Sequence, residues 1–248
     1  MKERIKKDYP PVISMNDNQR IAIVKDIFSS ITNKYDFLNR FLSLRQDLNW
    51  RYRAVKQMRF FKSYKLLDIA TGTGDLAIDA VNNHPKIQAV GLDFVQDMVD
   101  YGNLKIKDKN LKDRVILRWG DATNIDYENN SFDVSAIAFG IRNIPDKIKA
   151  LTEMKRVVLP EGQILILELT TPNSGPFKDI YSFYLNGLLP KIAGLFTSNI
   201  AAYEYLADSI VNFPTRSEFI TLLSSIGFKN IRAIPLSMGI CTLYIANK

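Results

Sequence analysis

A Rossmann-like α/β fold is what the sequence predicts: a mostly parallel seven-stranded sheet that ends in a C-terminal antiparallel hairpin and carries an N-terminal helical lid. Three observations lead there. The run Lys-Leu-Leu-Asp-Ile-Ala-Thr-Gly-Thr-Gly-Asp over residues 65–75 reads as a short apolar strand entering a glycine turn, and residues 76–81 begin a helix. Apolar strands and one-sided helices then alternate as far as residue 169, which implies parallel pairing through right-handed crossovers. The last two apolar stretches, 229–235 and 239–246, are separated too briefly for a crossover helix and read as an antiparallel pair.

The front of the chain comes before that unit. Lys2, Arg4, Lys6 and Lys7 make residues 1–16 a flexible basic arm. Residues 17–59 read as helical: Ile21, Val24, Ile27, Phe28 and Ile31 recur at the helical period, as do Val55 and Met58 further on. Between them lies Tyr35-Asp36-Phe37-Leu38-Asn39, followed by Ser43 and Trp50-Arg51. The segment 17–62 is either a cap on the core or a lid whose Tyr35 covers a bound ligand.

Past the glycine turn, 87–92 is a strand ending at Asp93, 95–107 a helix, and 114–119 a strand ending at Gly120-Asp121-Ala122. Residues 132–139 are apolar almost without interruption, the pattern of a strand covered on both faces. A helix over 146–158 follows, with Ile148, Leu151, Met154, Val157 and Val158 on one side; Pro160-Glu161-Gly162 turns the chain into the strand 163–169. Residues 176–196 are apolar around more than one helical face, which marks either burial or a wall for a greasy ligand. A helix over 217–226 precedes the terminal pair. Together these make one domain, 1–248, with a catalytic core over 63–248 and a helical insertion over 176–212.

Composition narrows the chemistry. Hydrophobic residues at 46% and aromatics at 11% belong to a globular protein with a substantial core. The single cysteine, Cys241, excludes an internal disulfide and fits a reducing cytoplasm. The single histidine, His84, excludes multi-histidine metal sites, so no metal is expected, and its setting reads as a solvated turn. No apolar run reaches the ~18 residues of a membrane span. The net charge of +7 suits an anionic membrane surface or nucleic acid. The basic clusters lack interleaved aromatics, so nucleic acid is not the expected partner.

Gly72-Thr73-Gly74-Asp75-Leu76-Ala77 satisfies the G-x-G-x-x-A pattern, and Asp93 follows at the ~20-residue spacing at which a carboxylate accepts the hydroxyls of a ribose. A pyrophosphate over the helix N-terminus wants bare N–H groups. Here Asp68 precedes the turn and Asp75 follows it, two anions better suited to the ammonium and sulfonium of S-adenosylmethionine (SAM) than to a dinucleotide; Asp75 also reads as a helix N-cap. The remaining candidates stand just beyond strand ends, where open α/β sheets bind ligands. Gly72, Thr73 and Gly74 follow the first strand, Asp93 and Phe94 the second. Asp121 and Ala122 follow the third, able to take the adenine amino group and leave room for its ring. Ala138 and the run Phe139-Gly140-Ile141-Arg142-Asn143 end the fourth, facing the substrate.

These residues carry a resemblance. The glycine-turn run resembles motif I of class I SAM-dependent methyltransferases. Phe139-Gly140-Ile141-Arg142-Asn143-Ile144-Pro145-Asp146, Tyr35-Asp36-Phe37-Leu38-Asn39 and residues 203–214 resemble the ubiquinone/menaquinone biosynthesis C-methyltransferase family. The resemblance spans roughly residues 20–246. It implies a class I methyltransferase fold with SAM as cofactor. The reaction it implies is C-methylation of a polyprenylated quinol, as from demethylmenaquinol to menaquinol, with cofactor positions at Thr73, Asp93, Asp121 and Ala122. Two positions depart from the family: Ala138 replaces a serine found in some members, and Arg45 replaces a usual glycine. With no histidine at the mouth, Arg142 is expected to stabilise the developing phenolate or orient a water, unless it merely pairs with a structural carboxylate; Asn143 is expected to hold that water or a quinol oxygen. Tyr35, Tyr203, Tyr205 and Ser209 are substrate-pocket candidates. The alternative function is methylation of another lipid or of RNA. The expected location is cytoplasmic with transient contact at the inner face of the membrane, and a homodimer is compatible with it.

Overall fold

The computed structural model describes residues 9–172, 176–188 and 201–248. Strands β1 (Lys65–Ile69), β2 (Gln88–Asp93), β3 (Val115–Trp119), β4 (Phe132–Ala138), β5 (Val158–Leu169), β6 (Lys229–Leu236) and β7 (Cys241–Asn247) form one sheet in the order β3-β2-β1-β4-β5-β7-β6. The first five pair in parallel, and β7 inserts antiparallel between β5 and β6. The uninterrupted apolar run of β4 is central, buried along its length up to Ala138. At the edge, β3 alternates, leaving Ile116 and Trp119 exposed. Chain order reverses on either side of β1, whose neighbours are β2 and β4. The crevice beyond the C-terminal ends of β1 and β4 is therefore the topological switch point, where such sheets bind ligands.

Nine helices are described: α1 (Asp17–Ile31), α2 (Tyr35–Leu42), α3 (Gln46–Val55), α4 (Asp75–Asn83), α5 (Gln96–Asp108), α6 (Lys147–Val157), α7 (Pro176–Phe183), α8 (Ala201–Val211) and α9 (Arg216–Ser225). Because side chains alternate across a strand, Leu66 and Leu67 enter different layers. Leu66, Val134 and Leu165 pack with Ala77, Val81, Val99 and the buried face of α3; Leu67, Ile69 and Ile137 pack with Met154, Phe219 and Tyr244. A third cluster joins Val24, Ile27 and Leu38 at the front to Tyr203 and Tyr205 of α8.

Several expectations need correcting. The helical front is not one lid. Trp50, Ala54, Val55 and Met58 belong to the main core, so α3 is part of the body and only residues as far as α2 lie over the site. The basic arm ends sooner than expected, since Val12 is buried, its N–H donates to Asp208 (2.6 Å), and Tyr9 donates to Asp26 (2.7 Å). Lys2, Arg4, Lys6 and Lys7 lie outside the described residues. The Pro160-Glu161-Gly162 turn is a bulge inside β5, which pairs with β4 on both sides of a register shift. His84 is half-buried rather than fully solvated: its Nε2 meets the Val55 carbonyl (3.0 Å) and its ring packs edge-on to Phe60. In the insertion, Tyr181 and Leu185 are buried with Ala207 and Ile210, while Ile180 and Phe183 face out. Leu189, Ile192, Leu195 and Phe196 of the expected greasy helix lie outside the described residues. Arg45 adopts φ 62°, ψ 11° in the turn between α2 and α3, which explains why a glycine suits this position.

Candidate active site

The glycine turn is built as a strand-to-helix corner. Gly72 and Gly74 take φ +56° and +80°, and Gly74, not Asp75, caps α4. Asp93 at the end of β2 buttresses the corner. Its Oδ2 accepts the Gly72 N–H (2.7 Å) and its Oδ1 the Val95 N–H (2.9 Å). Burial pushes the Asp93 carboxyl up to about 6, against the lowering effect of those N–H donors. With about four acceptor sites on a carboxylate and the Gly72, Val95 and Phe94 N–H groups facing it, the group keeps capacity for a ligand hydroxyl, as a ribose would supply. Tyr35 roofs the turn: its Cε1 lies 3.7 Å from where a Cβ on Gly72 would stand, and its ring meets Phe28 edge-on. Burial raises its hydroxyl pKa, with the Asn39 hydrogen bond opposing.

The two acidic residues flanking the turn do not play the expected part. Asp75 is paired by Lys105 (2.6 Å), Arg51 (3.1 Å) and Arg40 (3.5 Å). Burial alone would raise its pKa, but Arg51 and Lys105 hold it below the usual carboxylate range. Its charge is spent on protein cations and offers nothing to a ligand cation. Asp68 is 1% exposed, accepts the Thr71 hydroxyl (2.6 Å), and is pushed up to about 7 by burial. The preference for a sulfonium over a pyrophosphate therefore cannot rest on this pair.

Thr73 likewise turns its hydroxyl away from the crevice. It donates to Asp36 (2.7 Å) and accepts from Lys105 (2.8 Å), while Lys105 also reaches Asp36 (2.8 Å). Asp36 lies one residue after Tyr35, so this network ties the roof to the corner. Asp36, Lys105 and Arg51 were missed in the sequence because their partners are remote along the chain; the Asp36 of the Tyr-Asp-Phe-Leu-Asn run was the one available signal.

Beyond β3, Asp121 is exposed and folds onto Thr123 (2.8 Å to its N–H), with Ala122 half-buried behind it. Trp119 donates to the Phe94 carbonyl (3.0 Å), fixing the edge between β2 and β3. Beyond β4, Phe139 takes φ +59° and turns the chain into the short helical turn Ile141–Asn143. Arg142 is 6% exposed and is gripped by Glu168 of β5, which contacts its Nη1 at 2.6 Å and its N–H at 3.1 Å. Nη1 also donates to the Phe139 carbonyl (2.5 Å). The pairing with a structural carboxylate is thus present, but among the described residues the buried Arg142 Nε has no partner. Glu168, 0% exposed, was missed, although a lone acid in the apolar run 163–169 was its signal.

Two helices cover this loop. From α1, Arg20 Nη2 donates to the Arg142 carbonyl, and the buried Arg20 Nε has no partner among the described residues. From α8, the Tyr205 hydroxyl donates to Asn143 Oδ1 (3.3 Å) and hydrogen-bonds Arg20. Lys147 lies close by; burial and Arg20 hold its ammonium down to about 8. Among the described residues the buried Tyr203 hydroxyl has no partner, whereas Ser209 spends its hydroxyl on the Leu206 carbonyl of its own helix (2.8 Å). Arg142, Asn143 and Tyr205 thus come together, Tyr35 sits over the adjacent turn, and Ser209 does not join them through its hydroxyl. Among the described residues no group of His, Cys, Asp or Glu is placed to hold a metal. A groove of about 680 Å³ lined by Met58, Phe60, Tyr64 and His84 lies at the opposite end of the sheet, beside the starts of β1 and β2.

Residues 13–248 match the ubiE/COQ5 methyltransferase family. A ubiquinone/menaquinone biosynthesis C-methyltransferase of Citrifermentans bemidjiense is 43% identical over 226 residues, 91% of this chain and 96% of that one. A demethylmenaquinone methyltransferase of Bacteroides fragilis is 36% identical over 233 residues, 94% and 95% of the two chains. In fold, a SAM-dependent methyltransferase of Thermotoga maritima superposes with TM-score 0.62 at 17% identity, covering 90% of this chain and 98% of that one. The Rossmann-like sheet, the glycine corner buttressed by Asp93 and the near full-length match agree: the chain is a SAM-dependent methyltransferase and belongs to the ubiE/COQ5 methyltransferase family.

Proposed function

We propose that this chain methylates a ring carbon of a polyprenylated quinol, as in the conversion of demethylmenaquinol to menaquinol or of the corresponding benzoquinol. The observation that carries this reading is the match, over more than nine-tenths of the chain, to relatives named for quinone methylation. Bound SAM supplies an electrophilic methyl group. Asp93 accepts the ribose hydroxyls, Asp121 the adenine amino group, and Ala122 with Phe94 leaves space for the ring. The Gly72–Gly74 backbone and Tyr35 enclose the methionine end, Thr73 contributing main chain, and Asp68 lies behind the turn. Ala138 borders the methyl-transfer point without a side-chain hydrogen bond.

A quinol carbon ortho to a hydroxyl is nucleophilic once that hydroxyl loses its proton. The chain's part is to hold the ring in line, exclude water and stabilise the developing phenolate. Arg142 presents its unpaired Nε for that oxygen while Glu168 fixes the rest of the guanidinium. Asn143, held by Tyr205, orients the second oxygen or a water, and Tyr203 lines the pocket, while Ser209 stands behind it with its hydroxyl bonded within its own helix. The lipid acceptor brings the protein into transient contact with the membrane surface from the cytoplasm; no helix among the described residues is long and apolar enough to cross a membrane.

The test is transfer of labelled methyl from SAM to reduced, short-tailed demethylmenaquinol and demethylated benzoquinol, side by side in detergent, with RNA as a third acceptor. Label in a quinol is the expected result. Label in RNA alone, or in none of the three, refutes the reading.

A further inference from the structure

Three of the four most exposed large apolar side chains among the described residues are Leu44 (83%), Met238 (74%) and Phe183 (73%). They are remote in sequence but share one place. Leu42 is the hub: its carbonyl accepts the Tyr184 hydroxyl (2.8 Å), and it packs in one cluster with Tyr184 and Ile240. Leu44 stands two residues past this hub in the α2–α3 turn, Phe183 immediately before Tyr184, and Met238 two residues before Ile240. Gln46 also reaches Ser237 (3.4 Å), and Trp50 donates to the same hydroxyl (2.9 Å). Three crests therefore meet around one hub.

Two further observations bear on this face. Leu44 and Met238 hold left-handed φ of 50° and 57°, a costly conformation for a residue with a side chain. The crests also lie at the C-terminal end of the sheet: Thr170, just past β5, donates to the Ile240 carbonyl (2.8 Å), and Trp50 packs against Phe139 of the substrate loop. Exposed Arg45 stands beside Leu44, exposed Lys178 lies on α7, and the chain carries +7 overall. Asp179, next to Lys178, is exposed as well, so the apolar tips carry the docking and Arg45, beside Leu44, adds attraction. Apolar tips with such a cation at the mouth of a site for a lipid acceptor have the chemistry of a surface that dips into an anionic bilayer.

We propose that Leu44, Phe183 and Met238 form the face by which the protein docks on an anionic lipid bilayer, so that a tailed acceptor enters the site without crossing water. This rests on the reading of the acceptor as a polyprenylated quinol. Flotation with vesicles of equal parts phosphatidylglycerol and phosphatidylcholine tests it, using the full chain and the triple variant Leu44→Asp, Phe183→Asp, Met238→Asp. Leu104→Asp, at a comparably exposed site on α5, is the control, and the single Leu44→Asp stands in if the triple variant misfolds. The wild type and Leu104→Asp float; the triple variant loses at least ~tenfold in partitioning. Its turnover of a long-tailed quinol in vesicles falls with it, while SAM binding and turnover of a short-tailed quinol in detergent stay at wild-type level. Arg45→Gln weakens binding to these vesicles but not to pure phosphatidylcholine.

A triple variant that floats like the wild type overturns the proposal, as does a wild type that does not float. A concentration-dependent dimer that the triple variant splits would make the face a contact between two copies instead. Failure of the wild type to methylate the short-tailed quinol in detergent sinks the functional reading alone, whatever the vesicles show.

Discussion

Replacing Glu168 with glutamine is the sharpest test of how Arg142 is held. The Glu168 carboxylate is completely buried and faces three donors: Arg142 Nη1 (2.6 Å), Arg142 N (3.1 Å) and Leu169 N (2.8 Å). Glutamine has one acceptor oxygen, so in either orientation its NH₂ group meets a donor, and the buried guanidinium loses its counter-charge. Breaking a buried pair from one side costs about 3–5 kcal/mol. For a chain of this size that lowers Tm by roughly 6–20 °C. The assay is urea unfolding of Glu168→Gln, Arg142→Met, Glu168→Leu and the double variant Arg142→Met/Glu168→Leu. Each single change strands a buried charge, whereas the double change removes both; the double variant should therefore unfold at higher urea than the sum of the singles implies, with a coupling of about 2 kcal/mol or more. In turnover, Glu168→Gln should lose roughly 10–100-fold in kcat through a misplaced guanidinium, with SAM affinity retained. If Glu168→Gln unfolds within about 1 kcal/mol of the wild type, or the coupling is absent, Glu168 does not hold Arg142 and the argument fails.

Three further outcomes are expected. Asp93→Ala should abolish SAM binding, and in the wild type calorimetric affinity should rise as pH rises through about 6, because the ionised carboxylate is the better acceptor for both ribose hydroxyls; an affinity flat from pH 5 to 8 would contradict this. Asp68 carries a raised folded value, so the stability it permits is complete below 3.8 and is lost as pH climbs to about 7; at ~1.4 kcal/mol per pH unit the loss is of order 4 kcal/mol. Asp68→Asn should flatten that slope in ligand-free melts between pH 4 and 7. Arg45→Gly should stabilise the free protein by about 1 kcal/mol in urea unfolding, since φ 62° costs arginine what it does not cost glycine.

Local pattern determined most of the fold. The apolar run of β4, the glycine corner, the helix–strand alternation and the terminal strand pair are each encoded in neighbouring residues, so each is legible in the sequence. Their bounds fall within a residue or two of expectation except at β5, which starts at Val158 instead of residue 163 because the Pro160-Glu161-Gly162 turn is a bulge within it. The strand-end rule likewise put Asp93, Asp121 and Arg142 along one edge. What the chain in one dimension could not show is which charges meet. Asp75 looked free for a ligand because Arg51 lies 24 residues away and Lys105 lies 30; Thr73 looked available because Asp36 approaches from the front; the carboxylate that pairs with Arg142 had no name because Glu168 arrives on another strand. Nor could it show that α3 joins the core while α1 and α2 roof the site, or that Leu44, Phe183 and Met238 share one crest. Hydrophobic periodicity is a property of adjacent residues, but the pairing of buried charges is decided by packing, which brings distant side chains within 3 Å and removes the water that would otherwise screen them.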